Sequence, residues 1–410
     1  MACVNIDRYH QPMTADEYLS AGEAAARLGV SKATLYAYVS RGLIESAPGP
    51  GPSRARRYPA SSIDAFAGRR ERARDRELAA HGSLHWGLPV LDSELTLIQD
   101  GRVFLRGRDV VALSRSEPFE RVAALLWAAD PDVAASLFAP AGDGAGPPAG
   151  DAPAAGPPSA GALAAHLVAA GEGALLTLGA GDAVVWRAAA RLVEGLFGAA
   201  GARGGGRLAQ RLAAGWGVAD AAGELDAALV LCADHDLNVS SFTARCVASA
   251  DAALEHVVLA ALCALRGRRH GGLTDRVEAL VRAAAHDGAA AAAGRALEGD
   301  GRLPGFGHPL HPGGDPRAAE LLRLARGRST APDPAVEGLV ALAAEQLGEA
   351  PTLDFGLAAL ARALGLPSGA AFALFALGRS AGWIAHALET RDDARLIRPR
   401  SRYRGPAPVG

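Results

Sequence analysis

Lysine is almost missing from this chain of 410 residues: the 42 basic residues are one lysine, Lys32, and arginines for the rest. A Schiff-base nucleophile or a phosphate-gripping P-loop requires a lysine, and none lies beyond Lys32, so both chemistries are excluded for the body of the chain. Aromatic residues make up only 5%, which favours helices packed through small side chains over an aromatic-rich β-sandwich. Cysteine is scarce too. Cys3, Cys232, Cys246 and Cys263 form no C-x-x-C pair and imply no disulfide framework. No uninterrupted apolar run reaches the roughly 18 to 20 residues of a membrane span. The opening stretch MACVNIDRYHQ has no basic head followed by an apolar segment. These absences lead to the expectation of a cytoplasmic protein with free thiols and no membrane partner.

The length suffices for two or three domains with substantial cores. A net charge of −2 hides an asymmetry: residues 17–76 hold 11 Lys/Arg against 6 Asp/Glu, a balance of +5, which leaves −7 for the remainder. A basic head on an acidic body points to different partners for the two parts.

In the head, Ser20-Ala21-Gly22-Glu23 has the form of a capping box, so a helix is expected over Ala21–Leu28 with its stop at Gly29. Ser31 should cap a second helix from Lys32 to Ser40, closed by Gly42. Ala25, Leu28, Val30, Leu35 and Val39 can share one small core. Two short helices joined by a tight turn form a helix-turn-helix, whose second helix enters the major groove of DNA. After it come the Pro/Gly-rich residues 48–52 and the basic run Arg54-Ala55-Arg56-Arg57-Tyr58, suited as a wing to phosphate contacts. The stretch resembles the MerR-type winged helix-turn-helix. On that reading Ser31, Lys32, Thr34, Arg54, Arg56 and Arg57 would meet DNA. Protein contact through the same hairpin is the alternative.

Beyond the head, residues 88–107 read as short strands with Asp100-Gly101 as a hairpin turn. From about Val110 the periodicity is helical nearly to the end. The Pro/Gly/Ala-rich residues 140–161 interrupt it as a loop. GARGGGRL (201–208) lacks a preceding strand and a lysine, so it joins helices rather than cradling phosphate.

Four clusters combine polar groups with turn-forming residues: Asp234-His235-Asp236-Leu237-Asn238; Arg268-Arg269-His270-Gly271-Gly272; Gly305-Phe306-Gly307-His308 with Asp315-Pro316-Arg317 after it; and Leu353-Asp354-Phe355. Each alone has a structural explanation as a cap, loop or turn. Together with Gly378-Arg379-Ser380-Ala381-Gly382-Trp383 and Arg398-Pro399-Arg400-Ser401-Arg402-Tyr403, in this order, they resemble the citrate synthase family over roughly residues 85–410.

The resemblance implies a mainly α, two-domain helical fold behind a small winged helix-turn-helix. The domains are expected as a tail at 1–16, the helix-turn-helix at 17–68, a linking helix at 69–84 and the synthase-like body at 85–410, with its small domain at about 274–375. The implied reaction condenses acetyl-CoA with oxaloacetate, as in the tricarboxylic acid cycle. Asp354 would be the base, His270 the donor to the enolate oxygen and His308 the acid at the oxaloacetate ketone. His235, Arg317, Arg379 and Arg398 would bind the dicarboxylate, Arg398 reaching into the partner subunit of a homodimer. The residue types suit this chemistry, because a thioester methyl is a weak carbon acid that needs a base together with stabilisation of the enolate. Arginine forks match carboxylates. No cofactor is implied beyond the thioester substrate itself, and no metal.

Two departures stand out. Relatives continue GHRVYK after the histidine, whereas this chain has His308-Pro309-Leu310-His311-Pro312 and so lacks the basic residues that would meet coenzyme A phosphates. Phe355-Gly356-Leu357 replaces the usual Phe-Tyr-Ser. A 2-methylcitrate synthase using propionyl-CoA, or a DNA-binding metabolite sensor with a weakly active body, are the alternatives. His308-x-x-His311 has metal-like spacing but no evident third ligand. The remaining histidines, His386 among them, are assigned to surface or packing.

Overall fold

A computed structural model describes residues 18–49, 56–68, 91–127, 133–138, 158–172 and 178–407. The expected tail at 1–16, the linking helix at 69–84, Arg54 and most of the Pro/Gly-rich stretch lie outside the described residues. The chain separates into two compact units, Met1–Asp92 and Ser93–Gly410.

In the first unit, β1 (Tyr18–Leu19) leads into α1 (Ala21–Leu28). The capping box is present: Ser20 Oγ accepts from the Glu23 amide at 3.3 Å, and Glu23 accepts from the Ser20 amide at 2.8 Å. α1 ends at Gly29 in the left-handed region, and Ser31 caps α2 (Lys32–Ser40) through the Thr34 amide. β2 (Ala47–Pro48) and β3 (Arg56–Pro59) pair antiparallel as the wing, with β1 on the other side of β3. A helix, α3, then runs over 60–68. Ala24, Ala25, Leu28, Leu35, Ile44, Tyr58, Ile63 and Phe66 form the core, with Val30 and Val39 partly buried against it. Ala24 and Tyr58 join the core positions expected from sequence because β3 folds back over α1.

The second unit opens with an antiparallel meander of β4 (Thr96–Gln99), β5 (Arg102–Leu105) and β6 (Arg108–Asp109). Asp100 and Gly101 both take positive φ, as a two-residue hairpin turn demands. The helices α4 (Val110–Ser116), α5 (Phe119–Leu126), α6 (Ala134–Leu137), α7 (Ala160–Gly171), α8 (Asp182–Ala199) and α9 (Leu208–Gly215) follow. GARGGGRL joins α8 to α9. Then come α10 (Ala222–Cys232), α11 (Val239–Ala248), α12 (Leu254–Leu265), α13 (Leu273–Asp287) and α14 (Ala289–Asp300). The chain closes with α15 (Pro316–Gly327), α16 (Pro334–Leu342), α17 (Leu353–Ala363) and α18 (Ala370–Asp393).

Two apolar cores organise these helices. The larger is built on α5, α8, α10, α12 and α18, the smaller on α13, α14, α16 and part of α17. α17 serves both: Leu353, Leu357 and Leu360 enter the larger core, Phe355, Ala358 and Ala359 the smaller. α18 is long and apolar enough by composition to cross a membrane, yet its apolar window is wholly buried within the protein. It is the central helix of the larger core. Small residues let it approach α10: a Cβ at Gly378 would lie 2.4 Å from the Leu229 carbonyl oxygen, and one at Gly382 would lie 2.3 Å from that of Ala233. That close approach sets the place of Arg379 between them.

Candidate active site

Six segments converge where the two cores meet: the turn after α10, the turn before α13, the turn at 305–308, the first turns of α15 and α17, and the middle of α18. Arg379, on α18, is 1% exposed; its Nε donates to the Cys232 carbonyl at 2.7 Å and its guanidinium lies 5.0 Å from the Phe375 ring centroid. Burial lowers its pKa to about 10, against the pull of Asp234, so it remains a cation at neutral pH. Arg317, 2% exposed, forms a fork with Asp315 through Nε at 3.0 Å and Nη2 at 2.7 Å. Its Nη1 is buried with no hydrogen-bond partner among the described residues. Asp315 is also the N-cap of α15 and accepts from the Arg317 amide. One carboxylate therefore both starts the helix and orients its arginine.

Three imidazoles cluster near Arg317. His235 lies 5.5 Å from His308 and 5.1 Å from His311 between ring centroids, and His308 lies 5.3 Å from His311. Burial depresses all three, and the charge on Arg317 adds to the effect in each. His308 falls to about 4, so its ring is neutral at pH 7. The Leu310 amide donates to His308 Nδ1 at 3.2 Å, which leaves the ring proton on Nε2. His270, also depressed mainly by burial and then by Arg379, falls to about 3. Its Nε2 is 2.9 Å from Ser240 Oγ, to which the Trp383 indole donates at 3.1 Å.

Asp354 stands in the first turn of α17 with Oδ1 buried and without a hydrogen-bond partner among the described residues. Burial pushes its pKa up to about 7, although Arg317 and Arg379 pull it back down. Asp354 and His308 are fixed relative to each other by the backbone. The Thr352 amide donates to the Gly305 carbonyl at 2.9 Å, and the Gly307 amide to the Ala350 carbonyl at 3.0 Å. Phe306 and Phe355, each next to a glycine or the acid, pack with ring centroids 4.6 Å apart. At Gly305, φ is +84° and a Cβ would sit 2.9 Å from Val277, so only glycine makes this turn without displacement.

Three side chains to which no sequence motif gave a role extend the site. Ser240 holds His270. His311 reaches His235, Nε2 to Nε2, at 2.8 Å. His386 does more than pack: 1% exposed, it accepts from Arg245 Nε at 2.9 Å on Nδ1 and therefore donates from Nε2 to Asp234 at 3.2 Å. Thr96 donates to the other Asp234 oxygen at 2.6 Å. Despite burial, which opposes it, His386 and Arg379 hold the Asp234 carboxyl down to about 2. The residue before His235 is thus pinned from both sides. The regular spacing of Arg379 and His386 on α18 was the available sign.

Arg398 is not brought to this cluster; it is exposed on the extended segment after α18. In the head, Ser31, Lys32 and Arg56 are exposed and Thr34 is half-buried, while Arg57 lies 4.1 Å from the Tyr18 ring centroid. Among the described residues no group of three or more His, Cys, Asp or Glu side chains could hold a metal ion. The histidines at 235 and 311 point their nitrogens at each other.

Residues 206–400 match the family model described as citrate synthase, C-terminal domain, and residues 18–71 match a helix-turn-helix domain. The chain is 34% identical over 185 residues to citrate synthase 2 of Bacillus subtilis (strain 168), covering 44% of this chain and 50% of that protein. It is 32% identical over 193 residues to 2-methylcitrate synthase 1 of Corynebacterium glutamicum, covering 46% and 51%. The chain spans about half the length of these curated relatives in the matched region. Among solved structures it is similar to the ternary complex of carboxymethyl coenzyme A and oxaloacetate with citrate synthase from Thermoplasma acidophilum. The TM-score is 0.66 at 21% identity, over 79% of this chain and 96% of that one. At that identity the likeness is one of fold.

Proposed function

We propose that this chain, whose residues 206–400 match a citrate synthase C-terminal domain behind a helix-turn-helix at 18–71, condenses acetyl-CoA with oxaloacetate and water to give citrate and coenzyme A. The observation that carries this reading is the meeting of a carboxyl raised to about 7 with two buried arginines and neutral imidazoles. Asp354 removes a proton from the thioester methyl; its raised pKa makes it a stronger base than a solvent-exposed carboxylate. His270 stabilises the enolate oxygen by hydrogen bonding. The Ser240 hydroxyl has two acceptors in reach, His270 Nε2 and Asn238 Oδ1 at 2.8 Å, and the latter already accepts the Ser240 and Ser241 amides. A Ser240 proton given to His270 Nε2 places the ring proton on Nδ1, where the enolate can use it.

His308, neutral with its proton on Nε2, donates to the oxaloacetate ketone and then protonates the alkoxide. Arg317, through its unpaired Nη1, and Arg379 meet the dicarboxylate, with His235 as a further donor. Closing the smaller core over the larger excludes water until the carbon–carbon bond forms, and reopening admits it to hydrolyse citryl-CoA. Arg398, exposed on its own subunit, serves the site of a dimer partner.

The match to a 2-methylcitrate synthase over the same half of the chain favours propionyl-CoA as a second acyl donor. The exposed Lys32 and Arg56 on a helix-turn-helix support DNA as a partner of the head. Release of free thiol from a panel of acyl-CoAs, with and without oxaloacetate, tests the reading. Oxaloacetate-dependent release from acetyl-CoA supports it. No release from any short acyl-CoA contradicts it.

A further inference from the structure

The reaction as assigned uses His235 and His308 and leaves His311 without a part, although His311 is 3% exposed and in direct contact with His235. We propose that His311 is a positioning residue: its Nε2–H donates to His235 Nε2 and so holds His235 in the tautomer whose proton sits on Nδ1, ready for a substrate oxygen. The inference rests on the synthase reading for its consequence, but its geometry stands apart from it.

Two neutral imidazoles whose Nε2 atoms lie 2.8 Å apart must share one proton between those atoms. The unshared nitrogens decide which ring supplies it. His311 Nδ1 is buried with no hydrogen-bond partner among the described residues. Were that atom protonated, a buried N–H would be left unsatisfied, the rarer and costlier kind of orphan. With the proton on Nε2, only a lone pair is left bare. His311 is therefore the donor and His235 Nε2 the acceptor, and the His235 proton moves to Nδ1. Unlike His311 Nδ1, His235 Nδ1 is not among the side-chain atoms buried without a partner, and it makes no hydrogen bond within the described residues. It is the ring nitrogen a ligand can reach. Burial and the charges of Arg317 and Arg379 keep His235 from taking a second proton, so the tautomer, not the charge, is what His311 controls. The short run Pro309-Leu310-His311-Pro312 fixes this geometry: the His311 amide donates to the His308 carbonyl at 2.9 Å, so the two histidines turn together.

The test is nitrogen NMR on the full chain with isotopically labelled histidine, His235 being assigned by loss of its signals in His235→Gln. Wild type should show His235 protonated on Nδ1. His311→Leu should shift His235 towards the Nε2–H form, and His311→Gln, whose amide can donate from a similar reach, should restore Nδ1–H. In kinetics, His311→Leu should raise the KM for oxaloacetate by about tenfold, as loss of one well-placed hydrogen bond allows, with kcat within about threefold of wild type on the same grounds. His311→Gln should recover most of that loss. A wild-type His235 found protonated on Nε2, or a His235 tautomer indifferent to His311→Leu, overturns the proposal. The NMR readout needs no turnover, so it separates failure of this inference from failure of the synthase reading.

Discussion

The head and the body of this chain use arginine in opposite ways. In the head, Arg56 and the single lysine stand in solvent, and residues 17–76 carry a balance of +5. In the body, Arg317 and Arg379 are almost sealed, each tied by its own hydrogen bonds before any ligand arrives. Exposed charges act weakly, in sum, and are screened by salt. Buried ones act singly and are little affected by salt, and losing one leaves its partner stranded. A diffuse polyanion suits the first arrangement and one small dicarboxylate suits the second.

The largest expected effect lies on the body's side of that contrast. Asp354→Ala should lower turnover by roughly 10²- to 10⁴-fold, the usual range for loss of a general base, while oxaloacetate binding survives. Rapid-mix assays with calorimetry on the same variant check both halves. Next come Arg317→Ala and Arg379→Ala, each expected to weaken oxaloacetate by about 2–5 kcal/mol. Raising the salt should change these losses little; a loss that vanishes in salt would mean the arginines behave like the head's. Third, subunits carrying Arg398→Ala mixed with subunits carrying His308→Ala should regain activity as heterodimers, because one site then holds both defects and the other neither. Unchanged inactivity in isolated heterodimers would assign the C-terminal segment to its own subunit. The smallest effect belongs to the head. Neutralising Arg56 should reduce the slope of log affinity for DNA against log salt by about one. Neutralising Arg57, which packs on Tyr18, should reduce it less.

What the sequence made legible divides along the same physical line. The Ser20–Glu23 box, the Ser31 cap and the Asp100-Gly101 turn are contacts within three or four residues, set by backbone dihedrals that local residue types dictate. The family motifs carried His270, His308, Asp354, Arg317 and Arg379 on separate segments, and the structure draws those segments together at the meeting of two cores. His311 touching His235 across 76 positions, and His386 bridging Arg245 to Asp234, were not legible. Such pairs depend on how α18 lies on α10 and where the turn at 305–308 is held. Small-residue packing decides that, and no local pattern carries it. His386 read as a packing residue because its partners lie 141 and 152 positions away.

The central claim is that a carboxyl made basic by burial starts the reaction among histidines that stay neutral. The pH dependence of kcat/KM for acetyl-CoA, followed by thiol release in the presence of oxaloacetate, tests it most directly. Asp354 is raised to about 7, so the active carboxylate is lost as pH falls through that value. His270 and His308 are depressed to about 3 and about 4 and keep one charge state throughout that range. The expected profile is a single acid limb centred near 7, with unit slope and no second inflection down to about 5. A rate that stays flat from pH 8 to about 5, where a carboxylate of ordinary pKa would still be ionised, would contradict the account.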